Sequence, residues 1–183
     1  MIISLLLILL IYFIVIKFSS ETYAVSSYGI ITIVRDDIMD EKLNLLMNLL
    51  KRMYFLKKYL YNNILKEDKF RPYVEQLYIN FTPLRTKIIE NYNTDDTTSY
   101  SINKGTEIYI CLKDKKSNKL HDINLLMYVM IHEMAHLACP TIGHDDLFHY
   151  IFNKLINYAS IIGIYSYQDY NLNPVQYCGI IIR

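Results

Sequence analysis

Four of the five histidines in this chain lie within eighteen positions, from His132 to His149. Two of them belong to His132-Glu133-Met134-Ala135-His136, an HExxH pattern. On a helix, residues four apart share a face. The imidazoles of His132 and His136 can therefore bind one zinc ion from successive turns, with Glu133 beside them as a general base toward water. Five-residue patterns also arise by chance, so the surroundings matter. Between Leu125 and Ala138 the other residues are almost all apolar: Leu125, Leu126, Val129, Met130, Ile131, Met134, Ala135, Leu137 and Ala138. Such a helix is buried on all sides, and a carboxylate and two imidazoles placed there are costly unless they are paired or bind metal. The less apolar positions Asn124, Tyr128, His132 and His136 form one i,i+4 stripe that ends at the proposed site.

A catalytic zinc site needs a third protein ligand and an open fourth position. Glu133 is the last glutamate in the chain, which excludes a set completed by a downstream glutamate. A third histidine six residues after the second is also excluded, because position 142 is Ile142. His144 is the expected third ligand: Pro140 stops the helix, and a turn over Thr141–Gly143 can fold His144 back. His149, Asp145, Asp146 and Cys139 remain alternatives. His121, just before the helix, is expected at the surface.

The elements that must position these groups can be read in outline. Gly29–Val34 is β-branched and predicts a strand. Asp36-Asp37 can cap a helix over 38–61, whose apolar face runs through Leu43, Leu46, Met47, Leu50, Met53 and Tyr54, with lysines and Arg52 between them. Residues 70–92 predict shorter helical pieces broken at Pro72 and Pro83, and the polar tract 91–99 predicts a loop. Two short strand segments follow, the second over Thr106–Leu112 after a Lys104-Gly105 turn. Asp122 can cap the HExxH helix and Asp145 a last helix over 146–162. The tail after it reads as irregular chain.

Composition narrows the class. The chain has 183 residues, a formal net charge of +1, 18 tyrosines and no tryptophan. No clustered basic face is visible, so no nucleic-acid partner is expected. The three cysteines, Cys111, Cys139 and Cys178, lie far apart and are expected as buried thiols, one bridge plus a free thiol being the alternative. Ile2–Ile16 is an uncharged, almost wholly apolar run ended by Lys17. It predicts a transmembrane helix over 1–18 that contacts the lipid bilayer through residues 2–18, with Lys17 snorkelling to the interface; a cleaved secretory signal and a buried helix of the domain are the alternatives. A linker and first strand over 19–35 and a domain over 36–183 complete the division, with 23–35 joining the domain. The weak positive bias places that domain on the cytosolic side of a single-pass anchor.

The stretch "HEMAHLACPTIGHDDLF" resembles the WLM and SprT-like zinc metallopeptidases, in which HExxH is followed by a third histidine in a GH…F element. That pattern falls here on His132, Glu133, His136, His144 and Phe148. The wider chain, about 23–180 and most strongly 99–180 with its "NPVQYCG" tail, looks like the WLM-like metallopeptidases of large DNA viruses. The resemblance implies an α+β fold with a zincin-like core, in which the edge strand of a small sheet runs beside the HExxH helix. It implies Zn2+ as cofactor and a protein or peptide substrate. Thr106, Glu107, Ile108, Tyr109, Ile110, Cys111 and Leu112 would be the edge strand that pairs with substrate, and Tyr177 or Tyr128 the oxyanion donor. No zinc-ribbon cysteines or basic tail are present, so the DNA role of SprT-like members does not carry over. The resulting expectation is a membrane-anchored zinc metallopeptidase. Its alternative is a membrane-tethered structural or interaction domain with a non-catalytic zinc site, a role in which Glu133 would serve no purpose.

Overall fold

In the computed structural model, which describes residues 21–92 and 98–183, Glu21–Ser26 (β1) and Gly29–Val34 (β2) form an antiparallel hairpin. The stretch read as linker is thus already sheet. Met39–Asn63 (α1) follows close to its expected bounds, with Leu46, Leu49, Leu50, Met53, Leu56 and Leu60 fully buried along one face. Arg71–Asn80 (α2) carries Pro72 in its first turn, where a missing N–H removes no helical hydrogen bond. The chain then returns as a strand, Lys87–Glu90 (β3), rather than as the helical piece expected there. Ile88 and Ile89 are β-branched, and pairing on both sides, with β2 and with Glu107–Ile110 (β5), decides their state.

Tyr100–Ile102 (β4) pairs antiparallel with β5, giving the sheet order β1-β2-β3-β5-β4. This corrects the expected substrate strand. Glu107, Ile108, Tyr109 and Ile110 lie between two partners, Thr106, Cys111 and Leu112 flank them, and the free edge on that side is β4. Ile123–Ala138 (α3) and Asp146–Ile161 (α4) complete the domain, with Asp122 and Asp145 capping them as predicted by accepting hydrogen bonds from the Asn124 and Phe148 amides. Helix α3 is packed against α1, α2 and α4, and Met130, Ile131, Met134, Ala135 and Leu137 are fully buried.

Two lysines of α1, Lys42 and Lys57, are buried. Lys42 is fully buried and its Nζ donates to the Val34 carbonyl at 2.7 Å, to Asp36 Oδ2 at 2.9 Å and to Glu90 Oε2 at 2.8 Å. Glu90 Oε2 also accepts from the Val34 amide at 2.7 Å. Every buried charge here has partners, as burial requires, and the network ties the start of α1 to the ends of β2 and β3.

The tail is ordered too. Val175–Tyr177 (β6) and Ile180–Ile182 (β7) pair through a two-residue turn, with Cys178 at φ +46° and Gly179 at φ +95°. Left-handed backbone at both positions suits a tight hairpin. Cys178 is bonded to Cys111, 67 positions earlier, so the bridge-plus-free-thiol alternative holds and Cys139 is the buried free thiol. His121 is also buried, with Nε2 3.2 Å from Cys178 Sγ, and not at the surface.

The single-pass membrane localisation expected from the sequence is withdrawn. Among the described residues no helix is long and apolar enough to cross a membrane, and the proposed anchor over residues 2–18 lies outside them.

Reducing the Cys111–Cys178 bridge is expected to destabilise the domain by about 4 kcal/mol, the loop entropy that a closure of this length removes from the unfolded chain. Denaturant midpoints with and without reductant, and for Cys178→Ala, measure it. An unmoved midpoint would show that the bridge does not hold the hairpin down.

Candidate metal centre

His132 and His136 project from successive turns of α3, and His144 returns to them from the turn that follows. Gly143 in that turn sits at φ +89°, a conformation open to glycine at no steric cost. The three Nε2 atoms converge: His132 to His136 is 3.2 Å, His136 to His144 is 3.1 Å and His144 to His132 is 3.0 Å. Three nitrogens bound tetrahedrally to one zinc would lie roughly 3.3 Å apart, so the donor set fits that ion closely. The other candidates fall away. Asp145 Oδ1 is used by the Phe148 amide, and Cys139 Sγ lies 2.9 Å from Thr141 Oγ1. His149 is exposed and stands outside the convergent trio.

Phe148 is the floor of the site. Its buried ring lies 4.9, 4.4 and 4.7 Å from the rings of His132, His136 and His144. Burial, with the neighbouring histidines adding to it, pushes His132 down to about 3, and burial with His144 and Lys104 pushes His136 down to about 4. Both imidazoles are therefore neutral near pH 7, the form that ligates metal. The same burial acts oppositely on Glu133, raising it to about 7 against the hydrogen bond from Ser101. Glu133 Oε2 is buried without a protein partner. All four side chains line one cleft of about 740 Å³, bordered by β4.

Three supporting residues were not legible in the sequence. Ser101, on β4, meets the Glu133 carboxyl. Asn80, the last residue of α2, donates to the Leu137 carbonyl at 2.8 Å. Lys104 donates to the carbonyls of Cys139 and Thr141, both at 2.7 Å, and so clamps the turn between His136 and His144. The β4–β5 turn is close enough to do this because Gly105 lies against Leu137, where a Cβ would sit 2.5 Å from Leu137 Cδ2. Only their proximity in space reveals these roles. A lysine in a tight turn was the one available hint.

The two tyrosines part company. Tyr177 is buried, and its hydroxyl donates to the Cys111 carbonyl at 3.0 Å and lies 2.5 Å from Ser99 Oγ. It is committed to holding the hairpin to the sheet, which argues against an oxyanion role. Tyr128 lies half-buried beside His132, its ring against Phe152 and Tyr170.

The profile of the WLM domain matches residues 48–173. An uncharacterized protein of Acanthamoeba polyphaga mimivirus is 42% identical over 132 residues, which is 72% of this chain and 66% of that protein. Another, from Invertebrate iridescent virus 6, is 44% identical over 70 residues, 37% of this chain and 39% of its own. The chain therefore spans less than two thirds of these relatives. Two crystal structures of Wss1 from Saccharomyces cerevisiae, one of them a mutant, share the fold. Their TM-scores are 0.51 and 0.53 at 20% and 18% identity, covering 67% and 72% of this chain and 80% and 87% of theirs.

Replacing the clamp should loosen the third ligand without touching it. Lys104→Met is expected to weaken zinc binding roughly tenfold, the lower end of what supporting partners contribute, as read by competition with a chromogenic chelator. Wild-type affinity in this variant would show that the turn holds His144 unaided.

Proposed function

The chain belongs to the WLM domain family, and from that membership we propose that it is a zinc-dependent metallopeptidase acting on a protein or peptide substrate. The observation that carries the reading is the convergence of three imidazole nitrogens, 3.0 to 3.2 Å apart, beside a buried carboxyl with one oxygen unpartnered. A structural zinc site closes its four positions with protein ligands, whereas three histidines leave one for the reaction. A structural site also has no use for a general base.

His132, His136 and His144 would hold the ion, with Phe148 fixing the ring positions. When bound, zinc supplies Lewis-acid polarisation of the peptide carbonyl and makes water acidic enough to ionise near neutral pH. Glu133 accepts the proton of the attacking water and delivers it to the leaving amine nitrogen. Ser101 holds one side of that carboxyl and leaves the other free for the proton. The free edge of β4 orients the substrate, because an extended peptide can add to it as a further strand. Tyr128, which lines a cavity together with His132 and Glu133, remains the candidate oxyanion donor.

Two variants test the assignment. Glu133→Ala should keep its zinc, by elemental analysis, while peptide cleavage falls by about 10²–10⁴-fold, the range of a general base. His144→Ala should lose most of its zinc. Full zinc content in His144→Ala, or undiminished cleavage by Glu133→Ala, would refute the role of the residue concerned.

A further inference from the structure

A second, smaller cavity of about 240 Å³ opens off one flank of the histidine cleft. It shares Thr98, Ser99, His132, Glu133 and Ile180 with the cleft, while His136 and His144 line only the cleft. Its remaining walls are Tyr128 and Val129 of α3 and Tyr177 and Ile182 of the β6–β7 hairpin. Among the described residues no lysine or arginine lines it, and Glu133 is its only acidic group. Nothing in the reaction above uses this space.

We propose that this cavity is a specificity subsite that receives an apolar side chain from the substrate residue immediately after the scissile bond. The inference rests on the peptidase reading and names the substrate class within it. Size is the first argument. Pockets that take a whole small molecule run to about 300–1,000 Å³, and this one is smaller, the scale of one large side chain. Chemistry is the second. A leucine or phenylalanine side chain gains by leaving water for such a lining, whereas an aspartate would be desolvated beside the Glu133 carboxyl, with no lysine or arginine among the described lining residues to pair it.

Direction is the third argument. Thr98 and Ser99, which precede β4, line the cavity, while Asn103 and Lys104, which follow β4, line only the main cleft. A peptide adding antiparallel to β4 runs its carboxyl end toward Ser99. The subsite therefore lies on the leaving-amine side of the bond. Rigidity is the fourth. The hairpin wall is fastened by the Cys111–Cys178 bridge and by the Tyr177 hydroxyl on the Cys111 carbonyl, so the space exists before substrate arrives, and no ordering is left for binding to supply.

The test uses the full chain, loaded with zinc, on octapeptides of alanine and glycine that carry Leu, Phe, Gly, Asp or Lys just after the central bond. Cleavage sites are read by mass spectrometry. Leu or Phe is expected to raise kcat/KM by about 10- to 100-fold over Asp or Lys. The same order of preference should appear as binding affinity for the Glu133→Gln protein, measured by fluorescence anisotropy without turnover. Ile180→Asp alters a half-exposed residue of the cavity wall. It should erase most of the Leu preference and raise the relative use of Lys. Cleavage with no such preference, or with the preference on the residue before the bond, overturns the subsite and leaves the peptidase reading standing. Absence of cleavage from every peptide and from denatured protein substrates, with zinc bound, overturns both.

Discussion

A helix buried on every side can carry a carboxylate and two imidazoles only if neighbouring elements meet each polar group. Around α3 this demand organises the domain. Met130, Ile131, Met134, Ala135 and Leu137 are fully buried, so the polar atoms open toward one flank, where α4, β4 and the β4–β5 turn converge. Phe148 comes from α4, Ser101 from β4 and Lys104 from the turn. Asn80, from α2, takes a carbonyl at the helix end. A buried polar group left without a partner costs about 1–3 kcal/mol. Glu133 Oε2 is the one such side-chain atom among the described residues, and in the proposed reaction it is the side of the carboxyl that takes up the proton.

The same burial sets the charge state of the site. It lowers His132 to about 3 and His136 to about 4, and it raises Glu133 to about 7. The directions differ because burial disfavours whichever form is charged. Ligands are thereby kept neutral for a metal, while the carboxyl moves toward the range in which a base exchanges protons readily near neutral pH. Burial is the leading cause for all three groups; neighbouring histidines and Lys104 add to it for the imidazoles, and Ser101 opposes it for the carboxyl.

What the sequence made legible was local. HExxH spacing, the caps at Asp122 and Asp145, the apolar face of α1 and the glycine turn before His144 all depend on residues within a few positions of one another. What it hid was set by distant contacts. The strand at Lys87–Glu90 owes its state to partners on both sides. Lys42 is buried because Glu90, 48 positions on, meets its ammonium group. Cys111 finds Cys178 only once the tail folds back as a hairpin, and that same return explains why the Tyr177 hydroxyl is spent on the Cys111 carbonyl. The order of strands in the sheet was out of reach for the same reason. The β-rich stretch Glu107–Ile110 is paired on both sides, so it is an interior strand.

That strand order has a consequence for recognition. A long, apolar edge strand invites pairing with any exposed strand, and the sheet places the β-rich Glu107–Ile110 inside, away from that hazard. The edge beside the histidines is Tyr100-Ser101-Ile102, three residues long, with a serine whose side chain is already engaged by Glu133. So short an edge offers a peptide few main-chain hydrogen bonds, too few to hold a substrate by backbone alone. Main-chain pairing is also blind to sequence, because every residue but proline presents the same groups. In the proposed reaction selectivity would then come from side chains seated next to the reacting bond, and the apolar space between α3 and the disulfide-held hairpin has room for one.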